Sequence, residues 1–213
     1  TTVADSSALP ATSTRSYYLI GKSIAAFDGY SGRLFNGTVA YVRIWHGTVL
    51  DATQVSTLYD NRPSIVVPIP DHEFMFHGAT ALDGLADTYD SSITVTNYGA
   101  TLSANGAVFD GTNDYLSLTP WSFGGEISIE VYINIAGMVT EPAIVSLGSD
   151  NWTDSISLGA GNGNGNIVFR RRPGGNCISS TNAASETNTW IHIVATIDSA
   201  NGKIYKNGQL DTT

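Results

Sequence analysis

Glu126 and Glu130, in the run Glu126-Ile127-Ser128-Ile129-Glu130, are the paired carboxylates to weigh for acid–base chemistry. Strand alternation puts both on one face with Ser128 between them and leaves Ile127 and Ile129 for a core. Two carboxyl groups on a sheet face can cleave a glycosidic bond, one as acid and the other as nucleophile. The histidines, His46, His72, His77 and His192, show neither metal-ligand spacing with Cys or carboxylates nor a Ser/His/Asp order. Sugar binding asks for different residues: an aromatic plate and planar polar side chains on loops held by a rigid sheet. Trp152 lies in a polar stretch with no strand period to hide it, and Asn151, Asp154, Asn164, Arg170 and Arg172 are the polar residues expected to gather around it. Arg170 and Arg172 share a strand face by alternation and would read a carboxylate or sulfate, or else form a solvated outer face paired with surface acids.

The elements that must carry these residues are strands. Period-2 runs cover Thr38–Trp45, Glu126–Ile133, Ala143–Leu147, Ser155–Leu158, Asn166–Arg172, Trp190–Ile197 and Lys203–Lys206, with Gly/Asn punctuation between them. That pattern predicts an all-β antiparallel sandwich or barrel. One segment is helical. Asp51 is its expected N-cap and Gln54 completes a capping box, with Val55, Leu58 and Tyr59 on one apolar face. At about two turns it must dock to be stable. The prolines of Ser64–Pro70 then forbid a central strand and mark a linker or edge.

Composition narrows the function. The 213 residues include 22 Gly, one Cys and only 14% charged residues, which suits a turn-rich extracellular module. A net charge of −9 argues against nucleic acid, since no Lys/Arg excess exists to release counterions. A single cysteine excludes an intrachain disulfide, so the core must hold the fold. No apolar run approaches a membrane span, and the expected location is secreted or cell-surface. Asn36 and Asn151 head N-x-[ST] triplets and would be glycosylation acceptors in a eukaryotic secretory source.

Phe109-Asp110-Gly111-Thr112-Asn113-Asp114-Tyr115-Leu116, followed by Phe123-Gly124-Gly125-Glu126-Ile127-Ser128-Ile129-Glu130-Val131-Tyr132, resembles the opening of laminin-G-like and pentraxin-like domains of the concanavalin A-like superfamily. Trp190-Ile191-His192-Ile193-Val194 and Ile204-Tyr205-Lys206-Asn207-Gly208 are similar to later strands of that pattern. Its closing block is matched by Ile20-Gly21, by Phe35 to Trp45 and by Leu50 to Tyr59. The closing block thus precedes the opening block. The resemblance implies one circularly permuted jelly-roll domain over 1–213. Residues 1–62 would be the closing part, 63–71 the connection and 72–213 the opening part. A shifted slice of a tandem array, with neighbouring chains completing each other's sheets, is the alternative.

The resemblance also implies roles. Some glucanases of the superfamily carry E-I-D-I-x-x-E; here the spacing is one residue shorter and the middle acid is Ser128, so a non-catalytic member is expected. Trp45 and Trp190 match framework positions and are expected in the core, and His192 matches a framework histidine. Pentraxin-like relatives bind calcium through loops equivalent to Ser149–Asp154 and Lys22–Asp28, which nominates Asp150, Asp154 and Asp28. Ser23, Ala25 and Arg33 fall where that family has acids or an amide, which weakens such a site. The functional expectation is a lectin-like adhesion module for a glycan or a cell-surface or matrix protein. Its alternative is a building block of a surface filament whose partners are further copies of itself.

Overall fold

The computed structural model describes residues 9–24, 33–62, 68–137, 141–150, 154–160, 166–172, 176–179, 187–198 and 201–211. In chain order these form β1 (Ser13–Thr14), β2 (Tyr17–Ile20), β3 (Asn36–His46), α1 (Ala52–Asn61), β4 (His72–Met75), β5 (Val95–Tyr98), β6 (Thr101–Ser103), β7 (Gly106–Asp110) and β8 (Tyr115–Leu118). There follow β9 (Ser122–Phe123), β10 (Ile127–Gly137), β11 (Ala143–Asp150), β12 (Asp154–Ala160), β13 (Ile167–Arg172), β14 (Asn176–Ser179), β15 (Trp190–Ile197), β16 (Gly202–Lys206) and β17 (Gln209–Leu210).

Apolar alternation in the long strands demands two buried faces, and the chain supplies them as two large antiparallel sheets. One runs β17-β16-β15-β10-β3-β7-β6, with β4 also paired to β3; the other runs β14-β13-β12-β11-β2-β8-β5. Ile127, Ile129, Val131 and Ile133 of β10 join Val42 and Ile44 of β3 and Ile191 and Ile193 of β15 in the main core. Tyr18, Val145, Leu147, Leu116 and Phe169 of the second sheet complete it. This is the all-β jelly-roll sandwich that the alternation and the resemblance predict. The central strands β2 and β3 both come from the first 46 residues: β2 sits between β11 and β8, and β3 between β10 and β7.

The opposite face of the first sheet is also covered. Trp45, Leu50, Val55, Leu58, Val194 and Tyr205 form a second cluster beneath α1. The helix starts with the expected capping box: Gln54 N donates to Asp51 Oδ1 and Asp51 N donates to Gln54 Oε1, both at 2.8 Å. Its docking also explains a glycine. Asn207 and Gly208 have φ of +51° and +79°, the paired positive angles of a type I′ hairpin turn. A β-carbon on Gly208 would lie 2.9 Å from Tyr59 Cβ, so the turn fits directly against the helix.

Strands missed by the sequence reading, such as β2, β4 and β14, are four residues long. Their sequences, YYLI, HEFM and NCIS, do not alternate apolar with polar residues. Replacing Asp51 by Ala should cost about 1 kcal/mol through loss of the cap. That corresponds to a fall of roughly 2–4 °C in Tm, and Asp51→Asn should retain most of the stability; thermal denaturation monitored by circular dichroism checks both.

Candidate functional site

On the outer face of the first sheet four polar side chains are gathered out of contact with solvent. Tyr41, Arg43, Glu130 and His192 are 0% exposed. Glu130 is the centre of the group. His192 Nε2 donates to its Oε1 at 2.8 Å, Tyr41 Oη donates to the same oxygen at 3.1 Å, and Arg43 Nη1 approaches Oε2 at 3.3 Å. Arg43 Nε also donates to Glu73 Oε1 at 2.6 Å. Burial opposes the charge on Arg43, but Glu130 and Glu73 outweigh it and raise its pKa. Burial first, and then the charge of Glu130, pushes the Tyr41 phenol far above its ordinary range, so it remains a neutral donor.

Beside this network the same face opens into a cleft of about 430 Å³, lined by Ala40, Tyr41, Asp60, Arg62, His77, Asn105, Tyr132 and Trp190. Its wall is an aromatic row. Tyr41 and Tyr132 are cross-strand partners with ring centroids 5.9 Å apart, Tyr132 and Trp190 are 4.9 Å apart, and both pairs are inclined by 29°. Its rim is made by chain reversals. A bulge between the pairs Tyr132–Tyr41 and Ile133–Val39 frees Ala40, whose carbonyl accepts from Phe76 N at 2.9 Å and His77 N at 2.8 Å. On the other side of the bulge Gly106, at φ +140°, lets the β6–β7 turn approach: a β-carbon there would meet Val39 O at 2.2 Å. The bulge thereby brings His77 and Asn105 to one edge of the cleft. The last turn of α1 brings Asp60 and Arg62 to it.

Trp190 corrects an expectation. It is half-buried and lines the cleft, whereas Trp45 is 1% exposed in the cluster under α1. Alternation could have found it, since Ile191 and Ile193 face the core and Trp190 must then share the outer face with His192. His192 is buried within the sheet, as its framework position suggested.

Of the residues nominated around Trp152, Asp154, Arg170 and Arg172 lie on the second sheet. Asp150 and Asp154 are cross-strand partners, which shortens the expected loop; residues 151–153, and so Asn151 and Trp152, lie outside the described residues, as do Asn164 and Asp28. Asp154 Oδ1 accepts from Arg15 Nε at 2.7 Å. Arg170 and Arg172 are both half-buried on one face of β13, with Arg171 buried on the other, and Arg170 Nη2 lies 3.4 Å from Glu141 Oε1. Asn36 is half-buried at the start of β3.

Calcium fits Asp154 poorly, because the adjacent buried guanidinium already neutralises the carboxylate the ion would require. Among the described residues no three His, Cys, Asp or Glu side chains gather in a metal-binding arrangement. No helix among them is long and apolar enough to cross a membrane.

Compared with known families, residues 110–213 match a laminin-G model described as "Concanavalin A-like lectin/glucanases superfamily". No curated protein and no solved structure matches the chain.

The buried network yields a stability prediction. Arg43→Met leaves Glu130 and Glu73 without their shared cation and should cost about 3–5 kcal/mol. Tyr41→Phe removes one hydrogen bond and should cost about 1 kcal/mol. Urea denaturation midpoints of the two variants measure the difference.

Proposed function

We propose, from the match of residues 110–213 to the concanavalin A-like lectin/glucanases superfamily model, that the chain is a non-catalytic, extracellular carbohydrate-binding module with an adhesive role. The observation that carries this reading is the half-buried aromatic pair Tyr132 and Trp190, backed by the buried ring of Tyr41, in a cleft rimmed by Asp60, Arg62 and Asn105. The apolar C–H faces of a sugar pack on aromatic rings, while carboxylate and amide groups fix its hydroxyls. A volume of about 430 Å³ lies within the range of roughly 300–1,000 Å³ usual for ligand pockets. It suits a short oligosaccharide.

Hydrolysis is disfavoured by the same geometry. Glycosidases of the usual kind flank the scissile bond with two carboxyl groups. Among the described lining residues Asp60 is the one carboxylate, and Glu130 is sealed behind Tyr41, Arg43 and His192. Laminin-G-like domains are generally non-catalytic binding modules and typically extracellular, which agrees with the composition.

A second element of the proposal concerns the chain order. We read 1–62 as the closing part of a permuted domain, 63–71 as the connection and 72–213 as the opening part. The reading is supported by β2 and β3 lying within the sheets of their own chain. It favours a self-contained module over a filament subunit completed by its neighbour. Light scattering after size exclusion should therefore give a monomer even at high concentration, and concentration-dependent oligomers would favour the filament.

Trp190→Ala and Tyr132→Ala should each weaken binding of the best glycan on an array by at least about tenfold, roughly 1.4 kcal/mol, with little change in Tm. Trp152→Ala is the companion variant. Binding lost there and retained in Trp190→Ala would move the site to the 151–153 segment and remove it from the cleft.

A further inference from the structure

Packing of sugar rings on the aromatic row makes no use of the one guanidinium in the cleft. Arg62 caps the C-terminus of α1 in extended backbone, with φ −63° and ψ 147°. Its Cζ lies 3.8 Å from the ring centroid of Tyr59 and 5.2 Å from that of Tyr132. Its Nη1 donates to the Tyr59 carbonyl oxygen. The faces of the guanidinium are thus taken by aromatic rings and one N–H by the backbone. The remaining N–H groups along its edge have no protein acceptor among the described residues.

Arg62 differs in this from four other arginines. Arg15, Arg33, Arg43 and Arg170 each meet a carboxylate, at 2.7, 2.5, 2.6 and 3.4 Å. Arg62 meets none among the described residues, and the segment after it, Pro63-Ser64-Ile65-Val66-Val67, contains no acid to supply one. Two aromatic rings hold a half-buried, orientated cation without neutralising it. The geometry leaves a planar fork of donors facing a cleft, which is the arrangement that binds a carboxylate or sulfate.

Overall charge limits what that anion can belong to. At −9 the chain repels dense polyanions, so attraction here is local and suits one anionic group. Asp60, also on the rim, would repel a second anion but accepts hydroxyl hydrogens readily.

We propose, resting on the reading of the cleft as a sugar site, that it selects glycans bearing an isolated anionic group, the carboxylate of an acidic sugar or a single sulfate ester. Arg62 reads that group, while Asp60 and Asn105 take hydroxyls of the same or the adjoining residue.

The test is calorimetric titration of the intact chain with matched oligosaccharides in four forms: neutral, uronate-bearing, carboxyl-reduced and monosulfated. The expected result is at least a tenfold preference for the uronate or the monosulfated form over the neutral one. Which of the two binds identifies the anion, and if it is the carboxylate, reduction abolishes the preference. Arg62→Gln should bring affinity for the anionic forms down to that of the same variant for the neutral form, with Tm unchanged, and Arg62→Lys should restore only part of the preference. Equal affinity of the wild type for all four forms, or a preference that survives Arg62→Gln, overturns the proposal. Failure of the underlying cleft reading looks different: no form binds, or binding is indifferent to Trp190→Ala.

Discussion

A carboxylate with no exposed surface lies in the middle of the larger sheet, and the neighbouring strands are arranged around its charge. Removing an ionised carboxyl from water costs several kcal/mol unless close partners replace the solvent. Glu130 finds Arg43 on one neighbouring strand and His192 on the other, with Tyr41 as a further donor. These partners fix register as well as charge. Glu130 is opposite Arg43, and Tyr132 is opposite both Tyr41 and His192. A slip of one residue in β10 would turn Glu130 into the apolar core and expose a row of isoleucines.

The same constraint reaches the cleft. Tyr41 is tethered by Glu130 from behind and presents its ring to Tyr132 in front, so the aromatic wall is braced by a buried hydrogen bond. On the other side His192 packs against Tyr59 at 5.6 Å between ring centroids, and Tyr59 carries the guanidinium of Arg62. Both the apolar wall and the polar rim therefore lean on groups that Glu130 positions. A binding surface held this way loses little conformational entropy when a ligand arrives.

Much of the scaffold was readable from the chain. The long strands announce themselves because Ile127, Ile129, Val131 and Ile133 alternate with polar residues over more than one full period, and Asp51 and Gln54 state the start of α1 in four residues. The core faces follow from the same alternation. Trp190 departs from the core position that its match to a framework tryptophan implies, because its strand parity sets the face it occupies. His77, Asn105, Asp60 and Arg62 offered no local signal at all. They meet because a bulge at Ala40, a glycine at 106 and the docking of α1 bring together segments far apart in sequence, and each of those is a tertiary decision.

The order of the segments matters for the site as well as for the sheets. Arg62 belongs to the first third of the chain, yet its orientation depends on Tyr59, and Tyr59 rests on the turn at Asn207 and Gly208. Only a residue without a β-carbon fits beneath that ring at φ +79°, so the glycine serves the hairpin and the helix together. Asn207 adds a further tie: its side-chain oxygen accepts from His192 N at 3.1 Å, and its own N–H donates to the His192 carbonyl at 2.9 Å. The hairpin that closes the larger sheet is consequently bonded to the strand that carries both His192 and Trp190. Helix, hairpin and aromatic row are thus one mechanical unit, and the cleft can form only after segments from both ends of the chain have met.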